Sequence, residues 1–402
     1  MTIRRWRSCL AAAAGLAGML ALSGQAAAQC GGAADFPAWL EAFKQEAAAS
    51  GVSPGALSAL DGIGYDQKVI DADRAQGVFA QSFVEFAGRM ADGYRLDQGK
   101  AQLRKHADTF SRIEQEFGVP GPVLVGFWGL ETDFGAVQGD FATLQSLATL
   151  AHDCRRPEMF RAELMAALAL LDRGDLTPAD LKGAWAGEVG QMQFVPSYYL
   201  DLAVDYDGDG KRNLVRSVPD VLASSANLMK HHGWQAGQPW LEEVRAPAEM
   251  NWAEADLAIK HPRSQWAAWG VTRADGSALP EDTVPASLLL PMGRLGPAFL
   301  AYANFDVYTQ WNQSLVYATT AAYYATRLAG APQVQRGSAE APSREQIIDA
   351  QKRLQGLGYD VGKLDGIIGA QTRAAVKAVQ QQLGMPADSY PSPDLIAALQ
   401  RL

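Results

Sequence analysis

The sequence predicts a mainly α protein made of two unequal units. Apolar residues recur at three- and four-residue spacing through most of the text from Phe36 to about Leu328, and strand signals are few and short. A stretch near residue 330 whose one large apolar side chain is Val334 then sets off a compact tail. With 402 residues, 48% hydrophobic and 20% charged, the chain has the composition of an ordinary globular protein and room for more than one domain.

Residues 1–28 read as a secretory signal peptide. Arg4, Arg5 and Arg7 precede an apolar run ending near Leu22, and Ala26-Ala27-Ala28 supplies small residues for cleavage. A membrane anchor is the competing reading, but the uncharged run is short and is followed by Ser, Gly and Gln. The expected location is the periplasm. Lipoprotein anchoring through Cys30 is the less favoured alternative, because Gln29 is larger than the residue that usually precedes a lipidated cysteine. Loss of the three arginines takes the formal charge from −9 to −12, which argues against nucleic acid as a partner. Cys30 and Cys154 remain, and two cysteines in an exported chain suggest one disulfide, with two free thiols as the alternative.

Further along, residues 65–90, 157–174 and 219–234 carry helix-period text, and Gly174 and Gly233 sit where a helix end wants positive φ. Between them lies GFWGLETDFG (126–135), in which a single carboxylate, Glu131, follows large apolar residues and glycines. Pro120 and Pro122 can start a helix on which Phe127 and Trp128 share a face with Glu131. Aromatic burial raises a carboxyl pKa, as a general acid requires near neutral pH. The bland reading is a Glu that caps a helix end or pairs with an Arg.

GAWAGEVGQMQFVPSYY (183–199) places Gln191 and Gln193 among apolar side chains and flexible backbone, a pattern suited to binding sugar hydroxyl and acetamido groups or simply a glycine-rich turn. DYDGDGKRN (205–213) sets Asp205, Asp207 and Asp209 at alternate positions with Gly210 in the sixth place of a calcium loop. Position twelve is Arg216 rather than a bidentate Glu, so Asp220 is the candidate for the missing carboxylate. The candidate metal set is Asp205, Asp207, Asp209, Lys211 and Asp220, against a solvated Asp-Gly turn. A small sheet is expected around 271–291. Residues 304–324 bring Trp311, Asn312, Tyr317, Tyr323 and Tyr324, which fit a glycan groove or a core stripe. The five histidines contain no HExxH pair, and neither a nucleophile elbow nor a phosphate-binding loop occurs.

The expected domains are a catalytic unit over 29–330, a linker over 331–342 that cannot order itself by burial, and a three-helix module over 343–402. In the module, Ile347, Ala350 and Leu354 share one helix face, Val376, Val379 and Leu383 another, and Leu395 and Leu399 supply a short third helix.

Taken together, GVPGPVLVGFWGLETDFGAVQGDFATLQSLATLA, GAWAGEVGQMQFVPSYYLDLAVDYDGDG, ANLMKHHGW and YTQWNQSLVYA resemble, in order, the motifs of the membrane-bound lytic murein transglycosylase B family over roughly residues 33–330. The DGxxGxxTxxAV pattern of the tail resembles the peptidoglycan-binding three-helix module. The first resemblance implies a lysozyme-like α-rich domain with a small β element, and cleavage of the MurNAc–GlcNAc β-1,4 bond without water to leave 1,6-anhydro-MurNAc ends. It implies that Glu131 is the sole acid/base, that Gln193, Trp311, Asn312 and Tyr317 line the groove, and that the Asp205 loop holds a structural Ca²⁺, with no cofactor for catalysis. Trp311 stands where relatives can carry Tyr. The implied partner is the peptidoglycan glycan strand, with cell-wall synthesis or division proteins as further candidates, and a monomer is expected. A hydrolytic muramidase using Asp133, Asp140 or Glu188 as second carboxylate, or a non-catalytic wall-binding scaffold, is the alternative.

Overall fold

The computed structural model describes residues 31–75 and 81–402, so the candidate signal peptide and Cys30 lie outside the described residues. Helices dominate, and one of them organises the rest. Gly121–Thr132 is entered through extended Pro120, with a proline in its first turn, and ends at Asp133 in the left-handed region (φ 51°). It is apolar on every side, and a helix of that kind belongs inside. All its residues except Pro122 and Glu131 are buried. Around it pack the helices Tyr94–Lys105, Ala107–Phe117, Val218–His231 and Leu315–Leu328. Gly129 eases the last of these contacts, since a Cβ there would lie 3.1 Å from the ring of Tyr324 and 2.9 Å from that of Phe134.

The helix-period text at 65–90 forms two helices, Gln67–Arg74 and Phe83–Met90. The second starts with a capping box in which Ser82 and Glu85 satisfy each other's backbone N–H, a local signal strong enough to begin a new helix. Residues 304–324 also divide, into Ala303–Trp311 and Leu315–Leu328, where Asn312 turns extended and Ser314 caps the next helix through Tyr317 N.

The β element is larger than the expected sheet around 271–291. Five antiparallel strands run in the order His261–Pro262, Pro285–Leu289, Ala298–Ala301, Leu241–Arg245, Thr272–Arg273. Leu241 stands opposite Ala301 and Val244 opposite Ala298. The central Ala298–Ala301 strand is buried along its whole length, so it lacks the alternation by which a strand is recognised in sequence. A second antiparallel pair, Phe141–Ala142 with Lys182–Gly183, braces the glycine-rich segment that follows.

The tail forms the helices Arg344–Gly356, Ala370–Gln382 and Pro393–Leu399 around a core of Ala350, Leu354, Val376, Val379, Leu395 and Leu399. The connecting segment is ordered, contrary to the expectation from its composition. Val334 and Ala339 pack against the main core, and backbone hydrogen bonds add to this: Val334 N donates to the Tyr323 hydroxyl, Gln335 N to Glu243, and Ser338 N to the Leu295 carbonyl. The module itself docks on the larger unit. Lys377 pairs with Asp256 at 2.8 Å, Arg373 donates to the Leu290 carbonyl at 3.0 Å, and Arg294 N donates to Asp388 at 2.9 Å. Between the two units lies a cavity of about 610 Å³, bordered by residues 313–316 on one side and 366–370 on the other.

Candidate active site

Glu131 sits in the last turn of the Gly121–Thr132 helix, half-buried, with its carboxyl held from above by residues far away in sequence. Trp311 Nε1 donates to Glu131 Oε1 at 2.9 Å, and the Tyr317 hydroxyl donates to the same oxygen. Both donors are neutral. With two donors at Oε1, the carboxyl proton belongs on Oε2, which is left to face an incoming group.

Burial pushes the Glu131 pKa up to about 7; the Tyr317 and Trp311 hydrogen bonds oppose that rise, and the Glu188 charge adds to it. Desolvation outweighs two hydrogen bonds here because neither donor carries a charge to compensate the carboxylate. The Arg-paired reading of Glu131 is therefore excluded among the described residues, where no salt bridge reaches it.

The aromatic surroundings differ from those the sequence suggested. Phe127 does not face the carboxyl alone; its ring lies 4.4 Å from Trp311, centroid to centroid, and so fixes the indole that donates to Glu131. Phe194 meets the other side of Trp311 edge-on at 5.9 Å. Trp128 is committed elsewhere: its Nε1 donates to Gln191 Oε1 at 2.9 Å. Trp311 was expected to line the groove, and the structure gives its indole N–H a direct hydrogen bond to the acid.

Gln191, one of the two amides singled out as sugar-binding, serves the scaffold. It is buried, accepts from Trp128, donates to the Val215 carbonyl at 3.0 Å, and its own carbonyl accepts from Thr132. Gln193 adopts φ 49°, a left-handed conformation that costs a non-glycine residue energy and is common at functional sites. Its side-chain nitrogen donates to the Gln138 carbonyl at 3.0 Å and the Gly190 carbonyl at 2.8 Å, which leaves Oε1 as the acceptor for a ligand N–H. Asn312 follows Trp311 directly and accepts from Ser314 N at 2.9 Å, so its oxygen shapes the turn between Trp311 and Tyr317 while its amide nitrogen remains the donor for a ligand. Sequence pattern could not reveal that Trp311 and Tyr317 hold the acid, since 180 and 186 positions separate them from it.

At the aspartate loop, one ligand oxygen from each of Asp205, Asp207 and Asp209 can be chosen so that all lie within 4.8 Å of one another. No salt bridge among the described residues neutralises any of the three; Arg216 turns away to Asp180 at 2.7 Å. Closely spaced, unneutralised carboxylate oxygens fit a hard cation such as Ca²⁺. Asp220 stands outside this group. It is buried, and its oxygens accept from the backbone N–H of Tyr206 (2.8 Å), Asp207 (3.2 Å) and Asn213 (2.8 Å), which ties the loop to the Val218–His231 helix. Lys211 N donates to Asp209 Oδ1 at 2.8 Å, placing that residue within the same turn.

With this geometry in place, comparison with known proteins is direct. Residues 35–326 match the family model of the transglycosylase SLT domain, and residues 343–399 match that of a peptidoglycan binding domain. The chain is 35% identical over 224 residues to the membrane-bound lytic murein transglycosylase B of Escherichia coli (strain K12), a match that takes in 56% of this chain and 61% of that relative, less than two thirds of its length. It is similar to the crystal structure of SltB3 from Pseudomonas aeruginosa in complex with NAG-anhNAM-pentapeptide, at 40% identity and a TM-score of 0.84, covering 91% of this chain and 99% of that one. It is also similar to the Escherichia coli lytic transglycosylase Slt35 in complex with calcium, at 29% identity and a TM-score of 0.62, covering 72% and 92% of the two chains. The chain belongs to the transglycosylase SLT-domain family.

Proposed function

We propose that the protein is a lytic transglycosylase of the cell envelope that cleaves the MurNAc–GlcNAc β-1,4 bond of peptidoglycan without water. The observation that carries this is one poorly hydrated carboxyl held at Oε1 by two neutral donors, with burial pushing its pKa up to about 7. Glu131 donates its proton to the glycosidic oxygen as the C1–O bond breaks. The resulting carboxylate, stabilised at Oε1 by Trp311 and Tyr317, takes the proton of the muramic 6-hydroxyl while that oxygen bonds to C1. The acid is thereby restored, and no second carboxylate is required because the nucleophile belongs to the substrate. The substrate acetamido group stabilises the developing positive charge at C1. Gln193 Oε1 and the Asn312 amide supply an acceptor and a donor for acetamido and hydroxyl groups along the groove.

The similarity to SltB3, whose crystal carries an anhydro-muropeptide, supports this reading. Mass spectrometry of soluble products from purified sacculi tests it: anhydro-muropeptides are expected, each one water lighter than the hydrolysed form. Products carrying the added water would instead identify a muramidase.

Further parts of the reading rest on their own observations. Export to the periplasm rests on the charge and apolar pattern of residues 1–28. A Cys30–Cys154 disulfide is supported by the approach of the neighbouring backbone, since the His152 ring lies 3.2 Å from the Gly32 carbonyl oxygen. A structural Ca²⁺ would be held by Asp205, Asp207 and Asp209, with the Lys211 backbone carbonyl in the seventh loop place and Asp220 bracing the loop from below. When bound, the ion would neutralise the loop and fix the helix behind it. Adding Ca²⁺ to chelator-treated protein is expected to raise the thermal midpoint, and Asp207→Asn to remove that response. An unchanged midpoint on adding Ca²⁺ argues against the site. The docked tail is proposed to hold peptidoglycan beside the groove, and cell-wall synthesis or division proteins are candidate further partners of a monomeric enzyme.

A further inference from the structure

The cavity between the two units carries an unmatched charge on its wall. Its volume of about 610 Å³ is that of an ordinary ligand site, and such sites favour the space between domains. Leu257, Leu288, Leu289, Leu315, Ile347 and Ile368 make much of the lining apolar, and among the described residues only two charged side chains, Asp256 and Arg373, border it. Asp256 is neutralised by Lys377 at 2.8 Å. Arg373 is half-buried, donates to the Leu290 carbonyl at 3.0 Å, and forms no salt bridge among the described residues. Asp388, which could have matched it, accepts instead from Arg294 N, Gln380 and Tyr390 N. A guanidinium keeps its charge even where burial disfavours it, so its spare donors call for an anion. The helix of Arg373 also starts at Gly369 without a side-chain cap, which adds partial positive charge where Gly369 and Ala370 border the same cavity.

We propose that this cavity binds the peptide stem of the peptidoglycan strand, with Arg373 pairing one of its carboxylates. The inference rests on the lytic transglycosylase reading for the identity of the strand. Sugar rings present hydroxyl and acetamido groups, whereas the stem attached to muramic acid presents methyl groups and carboxylates. Of the parts of this substrate, the stem is the one that suits apolar walls with a single unmatched cation. The location agrees with the chemistry. One wall belongs to the module, which matches the family model of a peptidoglycan binding domain, and the other includes residues 313–316. Those four residues lie in the chain between Trp311 and Tyr317, the two donors to Glu131. A stem lodged there is held by both units at once, beside the segment that carries the partners of the acid.

The test is calorimetric titration of the full-length protein with a sugar-free stem pentapeptide ending in a free carboxylate. The parent is expected to bind it, and Arg373→Gln to bind it about tenfold more weakly or worse, the scale of a lost charge-assisted hydrogen bond. Arg373→Lys, which keeps the charge without the fork, should lie between them. Ala374→Phe adds bulk to the cavity wall and leaves Arg373 and its bond to Leu290 in place, so a similar weakening there shows that the loss comes from the cavity and not from an undocked module. In turnover, the ratio of KM on strands stripped of their stems to KM on stem-bearing strands should exceed one in the parent and fall towards one in Arg373→Gln. A parent that does not bind the peptide overturns the proposal, as does unchanged binding in both Arg373→Gln and Ala374→Phe. An equal rise in KM on the two kinds of strand overturns it too. The titration needs no turnover: absence of anhydro products would count against the proposed reaction alone, and an unchanged titration with anhydro products still formed would count against the cavity alone.

Discussion

Glu131→Gln is expected to lower release of soluble anhydro-muropeptides from sacculi by about 10²–10⁴-fold, the usual contribution of a general acid. Glutamine keeps the shape of the side chain, and its carbonyl oxygen still accepts from Trp311 and Tyr317, so the fold should be retained and circular dichroism unchanged. What is lost is the proton for the glycosidic oxygen and the base for the 6-hydroxyl. Both losses fall on one residue, so the variant should show no residual pH dependence near neutrality. Retention of more than a tenth of the parent rate would move the acid elsewhere.

The second large effect is expected at Gly183. A Cβ there would stand 1.6 Å from the Glu188 carbonyl oxygen and 2.8 Å from its carbon, both backbone atoms that cannot rotate away. Gly183 is also paired across the short ladder with Phe141. Gly183→Ala must therefore push the 183–194 segment outward, at a cost of about 1–3 kcal/mol for forced overpacking. Because that segment carries Glu188, Gln193 and the Phe194 contact to Trp311, turnover is expected to fall on the order of 10²-fold from displaced groups. Gly356→Ala provides the comparison: nothing lies within 4 Å of a Cβ there, and stability should be kept or slightly improved. Equal behaviour of the two variants in thermal unfolding and turnover would show that the close contact has no consequence.

Much of this was legible in the sequence, for reasons that can be traced to particular residues. Helices announced themselves by apolar spacing, and the buried helix of Glu131 by its prolines and its apolar residues on all sides. Glu131 could be singled out because a lone acid in such a setting is anomalous. The clustering of Asp205, Asp207 and Asp209 was legible because acidic residues at alternate positions before a glycine fold into one short turn. What stayed hidden depends on long-range contact. Phe127 and Trp128 were expected beside the carboxyl, yet one supports Trp311 and the other binds Gln191. Gln191 looked like Gln193 in sequence but has a structural task, since only the fold reveals which carbonyls each amide meets. The segment after residue 330 was read from composition as unable to order itself. Its backbone N–H groups find acceptors on the larger unit, and composition does not report hydrogen bonds of that kind. The tail is consequently a docked part of the protein rather than a weight on a loose string.

The account depends on the protonation state of one carboxyl at neutral pH. Titrating Glu131 by ¹³C NMR in the unliganded parent protein measures it directly. The predicted midpoint is about 7, set by burial against the opposing Tyr317 and Trp311 hydrogen bonds, and the catalytic rate should fall as pH rises through that value. A midpoint near 4.5, the value of an ordinary glutamate, would mean that the side chain is ionised where the protein works and has no proton to give.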